Sequence, residues 1–332
     1  MALRNERLYV DMPLTDLAID FSQDWAGEAL QDRLFPVKPT KYETGTFVVF
    51  DAVRRFRTYR DLRADGAEAN AISVKYGKDT FSQEEYALRG PVTDRERDQS
   101  IDPISPEQDI TELVAEALLL RREERARDAI FPTSYSHQQT VSPLWTASNP
   151  TVIKDMHTAK KAFHKKTGRM PSFLIISPVL WDMFFDDSVA AGPGATLVSR
   201  LQYTMAVKGN EITPALVAQL LDVPEIVVPK TLVANPALNA TIAGASVSEA
   251  LTGSAYIWDV DAGGTQVTDI VLVYVNGSGG RRALTVGWCF SSQPLTVFRY
   301  REDAKRTEWF ELSRVEQIKV VSTACIYRIK VA

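Results

Sequence analysis

The sequence predicts an α+β protein: one long helix, an extended two-stranded hairpin before it and a mixed α/β region after it. Three observations carry that prediction. The run Pro106–Ile130 has the start, apolar stripe and stop of a single helix. The stretch from Thr46 to Tyr76 reads as two strands joined by sequence too rich in arginine to bury a core of its own. From Asn149 onward helix and strand signals alternate, and short strands close the chain. At 332 residues the chain is long enough for two domains with a sizeable core each.

Composition excludes several function classes. Apolar content of 45% and charged content of 24% are ordinary for a globular protein. A net charge of −4 gives no overall reason for tight sequence-specific nucleic-acid binding, so any DNA contact has to be local. Arg4, Glu6, Arg7, Asp11, Asp16 and Asp20 interrupt the first twenty residues and leave no apolar targeting segment. The uncharged run Thr231–Ser248 is too polar to span a bilayer, so no membrane partner is expected. Cys289 and Cys325 sit in apolar, strand-like surroundings and are expected to be reduced and buried.

Residues 1–43 read as an arm. Leu14, Leu17, Ile19, Phe21, Trp25, Ala29, Leu30, Leu34 and Phe35 are apolar, but aspartates break them up. A short amphipathic helix is predicted near Ser22–Leu34, with Ser22 as its candidate cap. It either docks on its own domain or lies on a neighbour. The hairpin strands are Thr46–Phe50 and Ala71–Tyr76, the latter with Ile72, Val74 and Tyr76 on one face. Between them Arg54, Arg55, Arg57, Arg60 and Arg63 outnumber Asp51 and Asp61, so Phe50–Arg63 carries +3. That window is either a basic loop reaching an acidic partner surface or a solvated hairpin.

The long helix opens with Ser105-Pro106-Glu107-Gln108, the spacing of a capping box with proline in the first turn. Ile110, Leu113, Val114, Ala117 and Leu118 form an apolar stripe, and Arg121–Asp128 continues as a charged stretch until Pro132. Such a helix is roughly 37 Å long. Its charged end is a solvated face or a subunit contact.

In the second half, Asn149-Pro150 starts a helix with Val152, Met156, Ala159 and Phe163 on one side, closed by Gly168. Pro171–Ile176 is a buried strand, and Ser177-Pro178 and Thr213-Pro214 open further helices. Glu225–Val228, Tyr256-Ile257-Trp258 and Ile270–Val275 read as strands. Leu284–Phe290, Leu295–Tyr300, Ile318–Val321 and Ala324–Val331 read as a closing antiparallel set. Val189–Phe298 holds only five basic and seven acidic side chains, which suggests an exterior covered by copies of the same chain.

Catalytic signatures are missing. Gly77-Lys78-Asp79-Thr80 lacks the glycine spacing of a phosphate loop, and Gly192-Pro193-Gly194 and Gly277-Ser278-Gly279-Gly280 open no helix. There is no G-x-S-x-G. Of three histidines, His157 and His164 stand about 10 Å apart along one helix, too far for one metal ion, and His137 is isolated. No catalytic residue, cofactor or metal is expected.

Several segments together resemble the major capsid proteins of tailed double-stranded DNA phages. Glu84-Glu85-Tyr86-Ala87-Leu88, Asp94-Arg95-Glu96-Arg97 and Leu118-Leu119-Leu120-Arg121-Arg122 look like the exit of that family's extended E-loop and its spine helix. Thr167–Pro178 looks like the helix–strand–helix of its axial domain, and Thr213–Ala218 with Val223–Val228 like the next unit. The resemblance spans the whole chain and rests on the order and spacing of the motifs. It implies an N-terminal arm (1–43), an E-loop (44–100), a peripheral domain with the spine helix (101–148 and 290–332) and an axial domain (149–289). It further implies self-assembly as hexamers and pentamers into an icosahedral shell, formed in the host cytoplasm and ending in the virion. Expected partners are a separate scaffolding protein, a portal, a decoration protein and packaged double-stranded DNA held non-specifically. Arg54, Arg55, Arg57, Arg60 and Arg63, with Trp25, Leu30, Leu34 and Phe35, are then expected at subunit interfaces.

Two features depart from the pattern. No long scaffolding segment precedes the arm, so maturation by removing one is not expected, and Lys75 and Lys78 are the only E-loop lysines for the crosslink some relatives form. The alternatives are an encapsulin-type bacterial compartment, which has the same fold, and, further off, an α/β enzyme.

Overall fold

The structure is a computed structural model, and it describes residues 9–26, 29–50, 58–59, 61–63, 65, 68–72, 76–100, 105–142, 145, 151–182, 213–234, 254–260, 269–277 and 284–331. A two-residue strand, β1 (Tyr9–Val10), leads into α1 (Met12–Ala26). Asp11 stands where α1 begins and accepts a hydrogen bond from Leu14 N at 3.2 Å. Leu14 and Ala18 are buried while Asp16 and Asp20 face outward, so the aspartates mark the wet side of the helix rather than its end. The predicted Ser22–Leu34 helix is therefore two: Ser22 lies inside α1, its hydroxyl donating to the Ile19 carbonyl, and α2 (Gln31–Leu34) is a single turn.

After β2 (Val37–Pro39), β3 (Thr44–Phe50) and β4 (Tyr76–Ser82) form the antiparallel hairpin. Its second strand lies further along than predicted. Ala71 and Ile72 are outside any strand and exposed, and polar Gly77–Ser82 pairs instead. β5 (Glu84–Thr93) runs into α3 (Asp94–Gln99), where Thr93 and Glu96 make a complete capping box. The long helix α4 (Pro106–Ile130) has the predicted limits, with Pro106 in its first turn, but the Ser105 side chain makes no cap bond. Its buried stripe is Thr111, Val114, Ala115, Leu118, Leu119, Arg122, Glu123, Ala126 and Ile130, whereas Leu113 is exposed.

Next come β6 (Gln138–Thr140), α5 (Val152–Thr167), β7 (Phe173–Ile176) and α6 (Pro178–Asp182). Gly168 ends α5 at φ 62°, a left-handed position that suits glycine. The predicted starter Asn149-Pro150 lies outside the described residues. Thr213 accepts from Leu216 N to cap α7 (Pro214–Leu221), which precedes β8 (Ile226–Val227), β9 (Leu232–Ala234) and β10 (Ser254–Tyr256). Ile257–Asp259 is a 3-10 turn rather than the continuation of a strand, and Ile257 and Trp258 are buried in it. β11 (Asp269–Val273), β12 (Gly287–Glu302), β13 (Thr307–Val320) and β14 (Ile326–Lys330) complete the chain.

Two five-stranded sheets organise the described residues. In the first, the order is β1-β12-β13-β5, with β2 pairing parallel to β12. The second runs β6-β14-β11-β7-β8, so the last strand leaves the pair before it and lies between β6 and β11. β7 and β11 are buried on both faces, which explains their unbroken apolar runs. Leu174, Ile176, Ile270 and Leu272 face Met156 and Phe163 of α5 and Val217 of α7. Phe173, Ile175, Val271 and Val273 face the other way, into a core shared with Leu30, Leu34, Phe35, Ala126, Ile130 and Trp258. Much of the charge-poor segment Val189–Phe298 lies outside the described residues. Cys289 and Cys325 are buried thiols that form no disulfide, as expected.

Candidate assembly surfaces

The hairpin is seated on β12 and β13 at its base. Phe81 stacks on Phe290 with ring centroids 4.5 Å apart, and Phe47 lies 5.3 Å from the same ring. Lys319 reaches across from β13 to Asp79 at 2.9 Å and to the Thr80 carbonyl, which holds the Asp79 carboxyl below its ordinary range. Ser82 N donates to Gln317 Oε1 at 2.9 Å. Buried Gln83 accepts from Ser292 N at 2.8 Å and donates to Thr40. Beyond this base Tyr59, Leu62 and Ile72 are exposed, and Tyr59, Asp61, Ala69, Asn70, Ala71 and Ile72 line an open cavity of about 580 Å³. Arg63 is exposed in the same segment, while Arg54, Arg55, Arg57 and Arg60 lie outside the described residues.

Behind the hairpin, the arm is locked to α4 by charged groups inside the protein. Glu123 of α4 accepts from Leu30 N at 3.0 Å, Gln31 N at 3.1 Å and Trp258 Nε1 at 2.8 Å, so one carboxylate satisfies the open N-terminus of α2 and an indole. Burial pushes the Glu123 carboxyl up, while its three donors pull the other way. One position earlier, Arg122 contacts Glu316 of β13 at 3.0 Å and Asp32 of α2 at 2.8 Å. Arg125 and Arg314 add contacts to Glu316 at 3.1 and 3.2 Å, and the Cys289 thiol donates to it at 3.3 Å. Burial alone raises the Glu316 carboxyl, but three guanidinium groups outweigh it and hold the group below its ordinary range. Burial first, then Glu316, push the Cys289 thiol up to about 11, so it is a packed, unreactive group.

Leu30, Leu34 and Phe35, expected at a subunit interface, are buried in the chain's own core. The Phe35 ring lies on Gly287 of β12, where a Cβ would come within 2.4 Å of the Lys319 carbonyl and 2.6 Å of the ring. Trp25 is in the last turn of α1. Sequence reasoning missed the Arg122–Glu123–Glu316 group because charges late in a helix read as solvated, and the partner glutamate lies 194 residues away. A second ion network ties the start of α4 to the first sheet. Arg97 and Arg299 share Glu107 and Glu308, and Arg299 also reaches Asp11 at 3.5 Å.

Among the described residues no group of three or more His, Cys, Asp or Glu side chains could hold a metal ion, and no helix is long and apolar enough to cross a membrane. The contacts described above anchor the arm and the base of the hairpin to the body, and Leu62 and Ile72, described between the two hairpin strands, are exposed.

No family model and no curated protein matches the sequence. Solved structures do match the fold, over nearly its full length. A phage-related protein from Bordetella bronchiseptica RB50 is 22% identical, with a TM-score of 0.66 over 97% of both chains. The virus-like particle from Pyrococcus furiosus is 14% identical, with a TM-score of 0.51 over 96% of this chain and 97% of that one. The capsid of cyanophage P-SCSP1u is 10% identical, with a TM-score of 0.51 over 90% of this chain and 86% of the other. The chain has the fold of a tailed-phage major capsid protein.

Proposed function

We propose that this chain is the major capsid protein of a tailed phage, assembling as hexamers and pentamers into an icosahedral shell around a double-stranded DNA genome. The carrying observation is the near-complete match in fold to a phage-related protein and to particle-forming structures. Two features of the chain support it. The hairpin carries exposed Tyr59, Leu62 and Ile72 away from any core, and such apolar side chains are covered when a second copy packs on them. Its root is held rigidly by Lys319, Gln317 and the Phe47–Phe81–Phe290 contacts.

In this reading residues 1–43 are the arm, 44–100 the E-loop, and the first and second sheets the cores of a peripheral and an axial domain. Because β14 pairs with β11, the axial unit takes in residues 326–330. The role is structural, and the end location is the virion. A scaffolding protein, a portal and a decoration protein are the further partners of such a shell.

Electron microscopy and light scattering of the purified chain test this. Closed shells are expected, and a stable monomer under all assembly conditions would overturn the reading. Shells recovered from infected cells should hold DNA, and shells filled with an enzyme cargo would favour a protein compartment instead.

A further inference from the structure

The face of α5 that points away from the core carries Lys154, His157, Thr158, Lys161, His164 and Lys165, all exposed. At 100° per residue Lys154, Lys161 and Lys165 fall on one line, directly opposite buried Val152, Met156, Ala159 and Phe163. Exposed Lys166 and Arg169 extend the positive end. The two charges that could complicate this face are already used. Asp155 is buried and accepts from Trp145 Nε1 and Thr151 Oγ1, and Lys160 is buried against Asp222 at 2.7 Å. Among the described residues no carboxylate pairs with Lys154, Lys161, Lys165 or Arg169, although the chain as a whole is negative.

We propose that this lysine line binds the phosphate backbone of double-stranded DNA without reading its sequence. The inference rests on the capsid reading for the choice of DNA as the polyanion. The helix, 16 residues or roughly 24 Å long, matches about seven steps of a duplex at 3.4 Å per strand phosphate. Lysine without arginine or aromatic neighbours on the line suits a mobile, non-specific contact to phosphate. Protein–protein interfaces are instead depleted in lysine and anchored by aromatic residues and arginine. The site also answers the requirement set by the net charge, that a DNA contact be local.

The test uses the full chain with Lys154→Gln, Lys161→Gln and Lys165→Gln combined, beside the matching triple change to arginine. Anisotropy with a roughly 30-base-pair mixed-sequence duplex is read between about 50 and 200 mM salt. The glutamine variant should melt as the parent does and bind the duplex more weakly. The slope of log affinity against log salt should become shallower by about 2.7, so its affinity falls about 40-fold less across that range. The arginine variant should keep the parent slope. Equal slopes for parent and glutamine variant, or loss of binding to polyglutamate with duplex binding unchanged, would overturn the proposal. A glutamine variant that builds normal shells yet binds duplex like the parent defeats this site and leaves the capsid reading standing. A chain that never forms shells but loses duplex binding on substitution does the reverse.

Discussion

Asp259 closes the turn that carries Trp258, and its carboxylate accepts a hydrogen bond from Val179 N at 3.3 Å. Burial raises this carboxyl to about 6, the backbone donor offsets part of the shift, and nearby Asp182 adds to it. A carboxyl raised above its unfolded value stabilises the fold fully below that unfolded value, near pH 4. The contribution is lost as pH rises through about 6. Asp259→Asn should therefore leave stability unchanged near pH 4 and make the variant more stable than the parent above pH 6. Parallel melting curves for the two proteins from pH 4 to 8 would refute the assignment. Glu316 has the opposite sign: its carboxyl is held low, so its contribution is present at neutral pH and disappears as pH falls through that lowered value. Neither group could be singled out from the sequence, because the burial that shifts them is made by segments far apart in the chain.

At the scale of elements, the arm is held less by its own helix propensity than by Glu123. Glu123→Ala would leave Leu30 N, Gln31 N and Trp258 Nε1 without their acceptor and should cost about 3–5 kcal/mol. Glu123→Gln keeps an acceptor oxygen and should cost less. Denaturant unfolding gives the totals, and hydrogen exchange should show faster exchange across residues 29–35; unchanged protection there would mean the arm is held some other way. Elements bounded by local chemistry were legible in the sequence: α4 between Pro106 and Pro132, α5 up to Gly168, α7 behind Thr213. Those shaped by pairing were not. Leu284–Phe290 and Leu295–Tyr300 read as two strands in the sequence, with Pro294 between them. In the structure Pro294 sits in a register shift between Gln293 and Thr296, where a missing N–H breaks no ladder bond, and β12 runs through. The arm's apolar residues were legible as apolar, but their burial partners, Trp258 and Val286 among them, come from the far end of the chain.

For the whole molecule, the proposed capsid role would require a shell that assembles reversibly enough to correct errors and then holds against packed DNA. Many weak contacts meet that need better than a few strong ones. Exposed ion pairs fit, since each contributes roughly 0.2–1 kcal/mol and weakens with salt. The internal networks of Arg122 and Arg299 are already matched by Glu316, Asp32, Glu107 and Glu308, which leaves them as parts of the subunit rather than bonds between subunits. The window Phe50–Arg63 carries +3 in a chain of −4 and runs on from β3, in a hairpin whose root the body holds. If the chain assembles as proposed, an acidic surface on a neighbouring copy is expected to meet this positive window. Arg57→Glu combined with Arg63→Glu should lower shell yield and remove its salt sensitivity, while the melting temperature of the unassembled chain stays within about a degree, the mark of a change at an assembly contact rather than in the fold. Light scattering during assembly at low and high salt measures the first, and a thermal melt the second. Shells of this variant forming with parental yield and parental salt response would show the arginines to be merely solvated, and the weak contacts would then have to come from the exposed Tyr59, Leu62 and Ile72.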